Sequence, residues 1–139
     1  MSTETTASYD ERYEEGIQRY DAGEGVEALI PYFQALRQER PDIRVAVALS
    51  WLYTLAGSRE KAFLYAREAK GVPQGKYNHA LALLTFKEKG VREKLDEAYR
   101  LGGEEGRKDA IENLQDAIKR RGGHFPEAAK MVKGLEDWS

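Results

Sequence analysis

The sequence predicts an all-α fold of seven to eight antiparallel helices, arranged as about four helix hairpins. Three observations carry this. Apolar residues recur at helical spacing along nearly the whole chain, and no segment keeps the period-two alternation of a half-buried strand. Glycines punctuate the helices at near-constant intervals: Gly23, Gly57, Gly90 and Gly122 lie 34, 33 and 32 residues apart. The stretch Ile43 to Ala56, IRVAVALSWLYTLA, holds one charge, Arg44, and neither Gly nor Pro. A surface helix keeps one polar face, and this one is apolar almost all round, so protein must cover it on most sides. At 14 residues it is too short to span a bilayer, which takes ~20.

The elements follow in order. Residues 1 to 8 are small and polar and read as a disordered tail ahead of one domain over residues 9 to 138. Tyr13, Gly16, Ile17 and Tyr20 share one face of the first helix, which Ala22-Gly23 ends. Val26, Leu29, Ile30, Phe33 and Leu36 stripe the second up to Pro41, with Pro31 inside it as an expected kink. Asp42 is a fitting N-cap for Ile43 to Ala56, and Gly57 a fitting stop. Ser58 caps a helix with Ala62, Tyr65, Ala66 and Ala69 inward, closed by Gly71-Val72-Pro73. A third pair is expected from about Lys76, with Ala80, Leu83, Leu84 and Phe86 in its first helix and Val91, Leu95, Ala98, Tyr99 and Leu101 in its second. Gly102 to Gly106 reads as a turn. Ile111, Leu114 and Ile118 stripe the next helix to Arg121, and Pro126 opens a last helix running to Trp138. The hairpins are thus expected at about 9–41, 42–73, 76–103 and 107–138.

Composition bounds the function. The chain has 139 residues, 41% of them hydrophobic and 33% charged, which suits one globular domain and excludes a disordered chain. The net charge of −2 supplies no drive toward nucleic acid or an anionic membrane, so neither is an expected partner. The charge is uneven. Residues 1–30 hold eight acids against Arg12 and Arg19, while residues 31–70 hold seven bases against four acids. The absence of cysteine excludes disulfides, thiolate metal sites and thiol catalysis. The N-terminus lacks the basic and apolar regions of a secretory signal, so a cytoplasmic protein is expected.

The glycine interval and the residues around it resemble the tetratricopeptide repeat (TPR) family. The second hairpin carries Leu49, Ser50, Tyr53, Gly57, Ala62 and Ala69 at the family's repeat positions 7, 8, 11, 15, 20 and 27. The first carries Gly16, Gly23, Ala28 and Ala35 at positions 8, 15, 20 and 27, with Tyr13 and Tyr20 one place late. The third has Ala82, Leu83, Phe86 and Gly90, and the fourth Ile111, Leu114 and Ile118. No repeat has the family's Pro at position 32. The resemblance spans about residues 8–138 and implies a right-handed α-solenoid whose small residues let helices approach while each hairpin buries its apolar face on the next.

By the family's register, groove residues would be Tyr13, Ile17 and Tyr20 from the first hairpin and Arg44, Val47, Trp51, Thr54 and Leu55 from the second. The third would add Tyr77, Ala80, Leu84, Lys87 and Glu88, and the fourth Asp109, Glu112, Asp116, Lys119 and Arg120. Tyr13, Ile17 and Trp51 stand where many family members hold a peptide carboxylate with a polar and basic clamp, so chaperone tails are not expected ligands. The resemblance implies a non-enzymatic interaction module or scaffold. It would bind a peptide or amphipathic helix of another protein through Tyr13, Ile17, Tyr20, Arg44, Val47, Trp51, Leu55, Tyr77, Leu84 and Lys87. A self-associating homodimer through the same apolar surface is the alternative, and the small TPR chaperones of bacterial secretion systems are a narrower likeness in size, acidity and groove.

No catalytic, cofactor or metal site is expected. His79 and His124 lie apart and in no ligand motif, and they read as one helix residue and one loop residue. No phosphate-loop, dinucleotide, zinc-protease or nucleophile-elbow motif occurs. Lys119-Arg120-Arg121 reads as a helix end whose dipole favours cations.

Overall fold

The structure, a computed structural model, describes residues 7–138. The tail expected for residues 1–6 lies outside these. Ser8 is no part of a tail: it caps the first helix. Among the described residues there are seven helices and no strand.

Helix α1 (Tyr9–Asp21) starts at a capping box, in which the Glu11 N–H donates to Ser8 Oγ (3.1 Å) and the Ser8 N–H to Glu11 Oε1 (2.8 Å). Helix α2 (Val26–Glu39) continues past Pro31, which is exposed, so the apolar stripe and the helix begin together. Helix α3 (Ile43–Ala56) is bounded as its residues demand. Asp42 accepts from the Arg44 N–H, and Gly57 takes the left-handed conformation at φ 80°. Helix α4 (Arg59–Glu68) follows Ser58, whose side chain makes no cap hydrogen bond.

Helix α5 (Pro73–Thr85) starts earlier than the expected Lys76, because Pro73 opens it at the favoured first-turn position rather than closing the preceding unit. It ends in a Schellman-like turn with the Glu88 N–H on the Leu83 carbonyl (2.8 Å). The residue in the left-handed conformation there is Lys87, at φ 61°. A side chain at that φ costs what glycine does not. Lys87→Gly is therefore expected to raise stability by about 0.5–1 kcal/mol, read as a higher urea midpoint; an unchanged or lower midpoint refutes it.

Helix α6 (Val91–Arg120) contains one non-helical residue, Gly103, at φ 61° and ψ −153°. It therefore consists of two arms, residues 91–102 and 104–120. The turn expected over Gly102–Gly106 is corrected to this single residue. Pro73 explains the corner. A Cβ on Gly102 would stand 2.8 Å from Pro73 Cβ and Cγ, so only bare backbone admits the start of α5 there. Helix α7 (Pro126–Glu136) ends two residues before Trp138, whose ring lies against Tyr99 and beneath the Arg92 guanidinium.

Helices adjacent in the chain pack on one another, and α3 also packs on α5. One core gathers Leu29, Phe33, Leu36, Val45, Leu49 and Leu52 from α2 and α3. A larger one gathers Tyr77, Leu81, Leu95, Leu114, Phe125, Met131 and Leu135 from α5 to α7, with Leu55. Helix α3 thus feeds both cores, which is why it lacks a polar face. Each such Leu or Phe contributes about 1.5–3 kcal/mol by leaving water.

The first hairpin departs from the expected register. Ala28 and Ala35 are exposed, and their neighbours Leu29 and Leu36 are buried. The close approach falls instead at Gly16, where a Cβ would meet Phe33 Cζ at 2.6 Å. Ala62 and Ala69 are fully buried, as expected.

Candidate functional site

Helices α1, α3 and α5 and the 104–120 arm of α6 enclose a pocket of about 180 Å³, to which α2 adds Phe33. One wall is aromatic and aliphatic. Tyr13, Ile17 and Tyr20 recur on one face of α1, and Val47 and Trp51 lie one turn apart on α3. The Trp51 indole N–H donates to the Tyr20 hydroxyl at 2.7 Å. Burial pushes the Tyr13 and Tyr20 phenols up; the Trp51 hydrogen bond and the Arg120 charge pull against that at Tyr20. Both phenols therefore keep their protons at neutral pH.

The facing wall is a chain of amides. The Asn113 amide donates to Gln74 Oε1 (3.0 Å), and the Gln74 amide to Asn78 Oδ1 (2.7 Å). The Asn78 amide donates to the Val47 carbonyl (3.0 Å) and to Ser50 Oγ (2.9 Å). Asn78 and Ser50 are buried, and this chain satisfies them while fastening α5 to α3. Ser50 and Thr54 also bond back to carbonyls of their own helix.

Arginines flank the pocket. Arg44 lies over the Tyr13 ring (4.3 Å) and pairs with Asp10 (2.9 Å) and Asp42 (2.8 Å). Arg120 lies over the Tyr20 ring (3.8 Å) and donates to the carbonyls of Glu24 (2.7 Å) and Tyr20. Arg121 donates to the Leu55 carbonyl (2.5 Å). These carbonyls lie in the α1–α2 corner and at the ends of α1 and α3, where cations are favoured. The basic cluster therefore ties three helix ends together.

Tyr13, Ile17, Tyr20, Arg44, Val47 and Trp51 line the pocket, as does Asp116. The others do not. Leu55 and Tyr77 are buried in the large core, because their helix face points at α6 and α7. Leu84 packs at the edge of that core. Lys87 is exposed in the turn after α5, beyond reach of the pocket lining. Thr54 and Ala80 are buried, and Asp109 and Glu112 are exposed. Gln74, Asn78, Asn113 and Asp21 line the pocket without having been expected. Gln74 and Asn78, four apart in a helix otherwise rich in Ala and Leu, carried a readable signal. Asn113 is one surface polar residue among many.

His79 packs against Phe63 (5.6 Å between ring centroids). Burial, with the cations Lys94, Lys76 and Arg67, holds it down to about 4. His124 is exposed in the loop before α7. Among the described residues no group of three His, Cys, Asp or Glu is placed to hold a metal ion, and no helix is long and apolar enough to cross a membrane. Between pH 6.5 and 4 the unfolded chain binds a proton at His79 that the folded chain refuses, so this contribution to stability is lost as pH falls through that window. The ring is partly wet, which reduces the effect to about 1–2 kcal/mol. His79→Gln is expected to flatten the urea midpoint against pH between 7 and 4.5. A slope equal to the wild type's refutes the assignment.

Comparison of the chain with protein-family models, with curated proteins and with solved structures returned no match.

Proposed function

We propose that this chain is a non-enzymatic protein-interaction module built of tetratricopeptide-like hairpins, and that the pocket between α1, α3, α5 and the 104–120 arm receives a partner protein. One observation supports this above the rest. Those four segments are the first helices of the four hairpins, and Tyr13, Ile17, Val47, Trp51 and Asp116, groove positions of the first, second and fourth by repeat register, line one cavity, while the third contributes Gln74 and Asn78 in place of its register positions. The volume of about 180 Å³ lies below the ~300–1,000 Å³ of small-molecule sites. It suits a single side chain projecting from a peptide or helix, with Trp51 as the aromatic anchor. Outside the pocket the exposed large apolar side chains among the described residues are Ile43, Leu64 and Leu101, one each on α3, α4 and α6, which offers less to a homodimer.

Affinity purification from the native cell would compare wild type, Trp51→Ala and the exposed-surface control Leu64→Ala, each first shown to be folded by its thermal melt. The partner should be lost with Trp51→Ala and kept with Leu64→Ala. A partner list that Trp51→Ala leaves unchanged sinks the proposal, and a stable dimer with Trp51 shielded from solvent replaces it with self-association.

A further inference from the structure

We infer that the side chain received by the pocket is basic: a lysine or arginine presented by a positively charged segment of the partner protein. The inference rests on the pocket being a protein-binding site and adds the chemistry of the residue it takes.

The charges at the pocket decide the sign. Arg44 is the one cation in its lining, and Asp10 and Asp42 already answer it at 2.9 and 2.8 Å. Arg120, just outside, is held on the Tyr20 and Glu24 carbonyls at the negative end of α1. That leaves Asp21 and Asp116. Both line the pocket, and among the described residues neither has a cation within 4 Å. Asp21 closes α1, so the helix dipole adds to its charge instead of offsetting it. The outer face of α1 continues the field with Glu14 and Glu15, which also lack an ion-pair partner among the described residues. An acidic or phosphorylated segment would be repelled here, whereas a basic one would be steered in.

The walls suit the same side chain. Lysine and arginine carry an aliphatic stem under a charged head. The stem finds Ile17, Val47 and the Trp51 face, and the head reaches carboxylates at the rim. A neutral apolar side chain would use the walls and leave both carboxylates unanswered.

The test uses side-chain analogues on the intact protein. The probes are n-butylammonium and n-propylguanidinium, with butan-1-ol as the neutral control and butyrate as the anionic one. The readout is the NMR shift of the Trp51 indole N–H, assigned by comparison with Trp138→Phe. The cations should bind about tenfold more tightly than butanol at low salt and weaken as salt is added. Butyrate should not bind. In the doubly substituted Asp21→Asn/Asp116→Asn protein, both of whose sites are exposed, the preference for cations over butanol should vanish. Equal binding of butanol and butylammonium, or a preference that survives the double substitution, overturns the inference. The same variant separates it from the wider reading. If affinity capture fails with Trp51→Ala yet is unaffected by Asp21→Asn/Asp116→Asn, the pocket binds a protein but not through a basic residue.

Discussion

Gly75→Ala is expected to cost about 3 kcal/mol, although alanine is the better helix former by about 1 kcal/mol. Gly75 is buried in the first turn of α5. A Cβ there would stand 1.9 Å from the Ala69 carbonyl oxygen and 2.7 Å from its carbonyl carbon. Both atoms are backbone, so no rotamer change relieves the clash. Relief requires the chain between α4 and α5 to move, and α5 carries the amide wall of the pocket with it. Overpacking of this kind costs about 1–3 kcal/mol and more where backbone must shift, which outweighs the propensity gain. Gly134→Ala is the matched control. It lies within α7 with nothing inside 4 Å of the added Cβ, so it should stabilise by up to about 1 kcal/mol. Urea unfolding of the two variants should move the midpoint in opposite directions, Gly75→Ala by about 1.5 M downward. Equal midpoints would show that the approach of α5 to Ala69 is not as close as described.

Asn78→Asp is expected to cost about 3–4 kcal/mol at pH 7. The exchange keeps shape and removes the amide donor that serves both the Val47 carbonyl and Ser50 Oγ. An ionised carboxylate would face the Val47 carbonyl in its place, with only the Gln74 amide donating to it. Burial would favour the protonated acid, so the folded state would hold a proton that the unfolded chain releases above about pH 4. The cost therefore appears as pH rises above that value and shrinks on acidification. The gap between variant and wild type should narrow from pH 7 to pH 4.5, whereas a simple packing defect would leave it constant. A gap independent of pH would overturn the account of a buried carboxyl that holds its proton.

The helices were legible because their signals are local. Asp42 and Gly57 bound α3 as their chemistry dictates, and all four glycines of the interval, Gly23, Gly57, Gly90 and Gly122, lie at helix corners. What escaped depended on atoms distant in the chain. Nothing near Gly103 reveals that Pro73 occupies the elbow and reduces the corner to one residue. Nothing near Ala28 reveals that Phe33 approaches Gly16 and turns α2 so that Leu29 and Leu36 point inward. At the pocket, register found the residues of α1 and α3 because a helix face is a local property. It misplaced Leu55 and Tyr77, since what covers a face depends on the 104–120 arm and α7 closing over it. Asn113 gave no signal, because a polar residue at a pocket rim looks like any other surface residue, whereas Asp21 holds the first hairpin's equivalent of Leu55 and was readable from the register.

The three carbonyls held by Arg120 and Arg121 lead to an expected order of assembly. Most helix contacts join neighbours in the chain, but Arg120 reaches Tyr20 across 100 residues and Glu24 across 96, and Arg121 reaches Leu55 across 66. Contacts of such long separation bear the largest loop-closure entropy, so they form after the local pairs are in place. Helix α1 packs on α2, meets α3 only through side chains such as Tyr13, Tyr20 and Asp10, and is otherwise held by this clasp. Hydrogen exchange under native conditions should accordingly show α1 and the end of the 104–120 arm opening together, at a lower free energy than α3 and α5. The pocket would then be the last part of the protein to form and the first to come apart, while the core behind it stays folded.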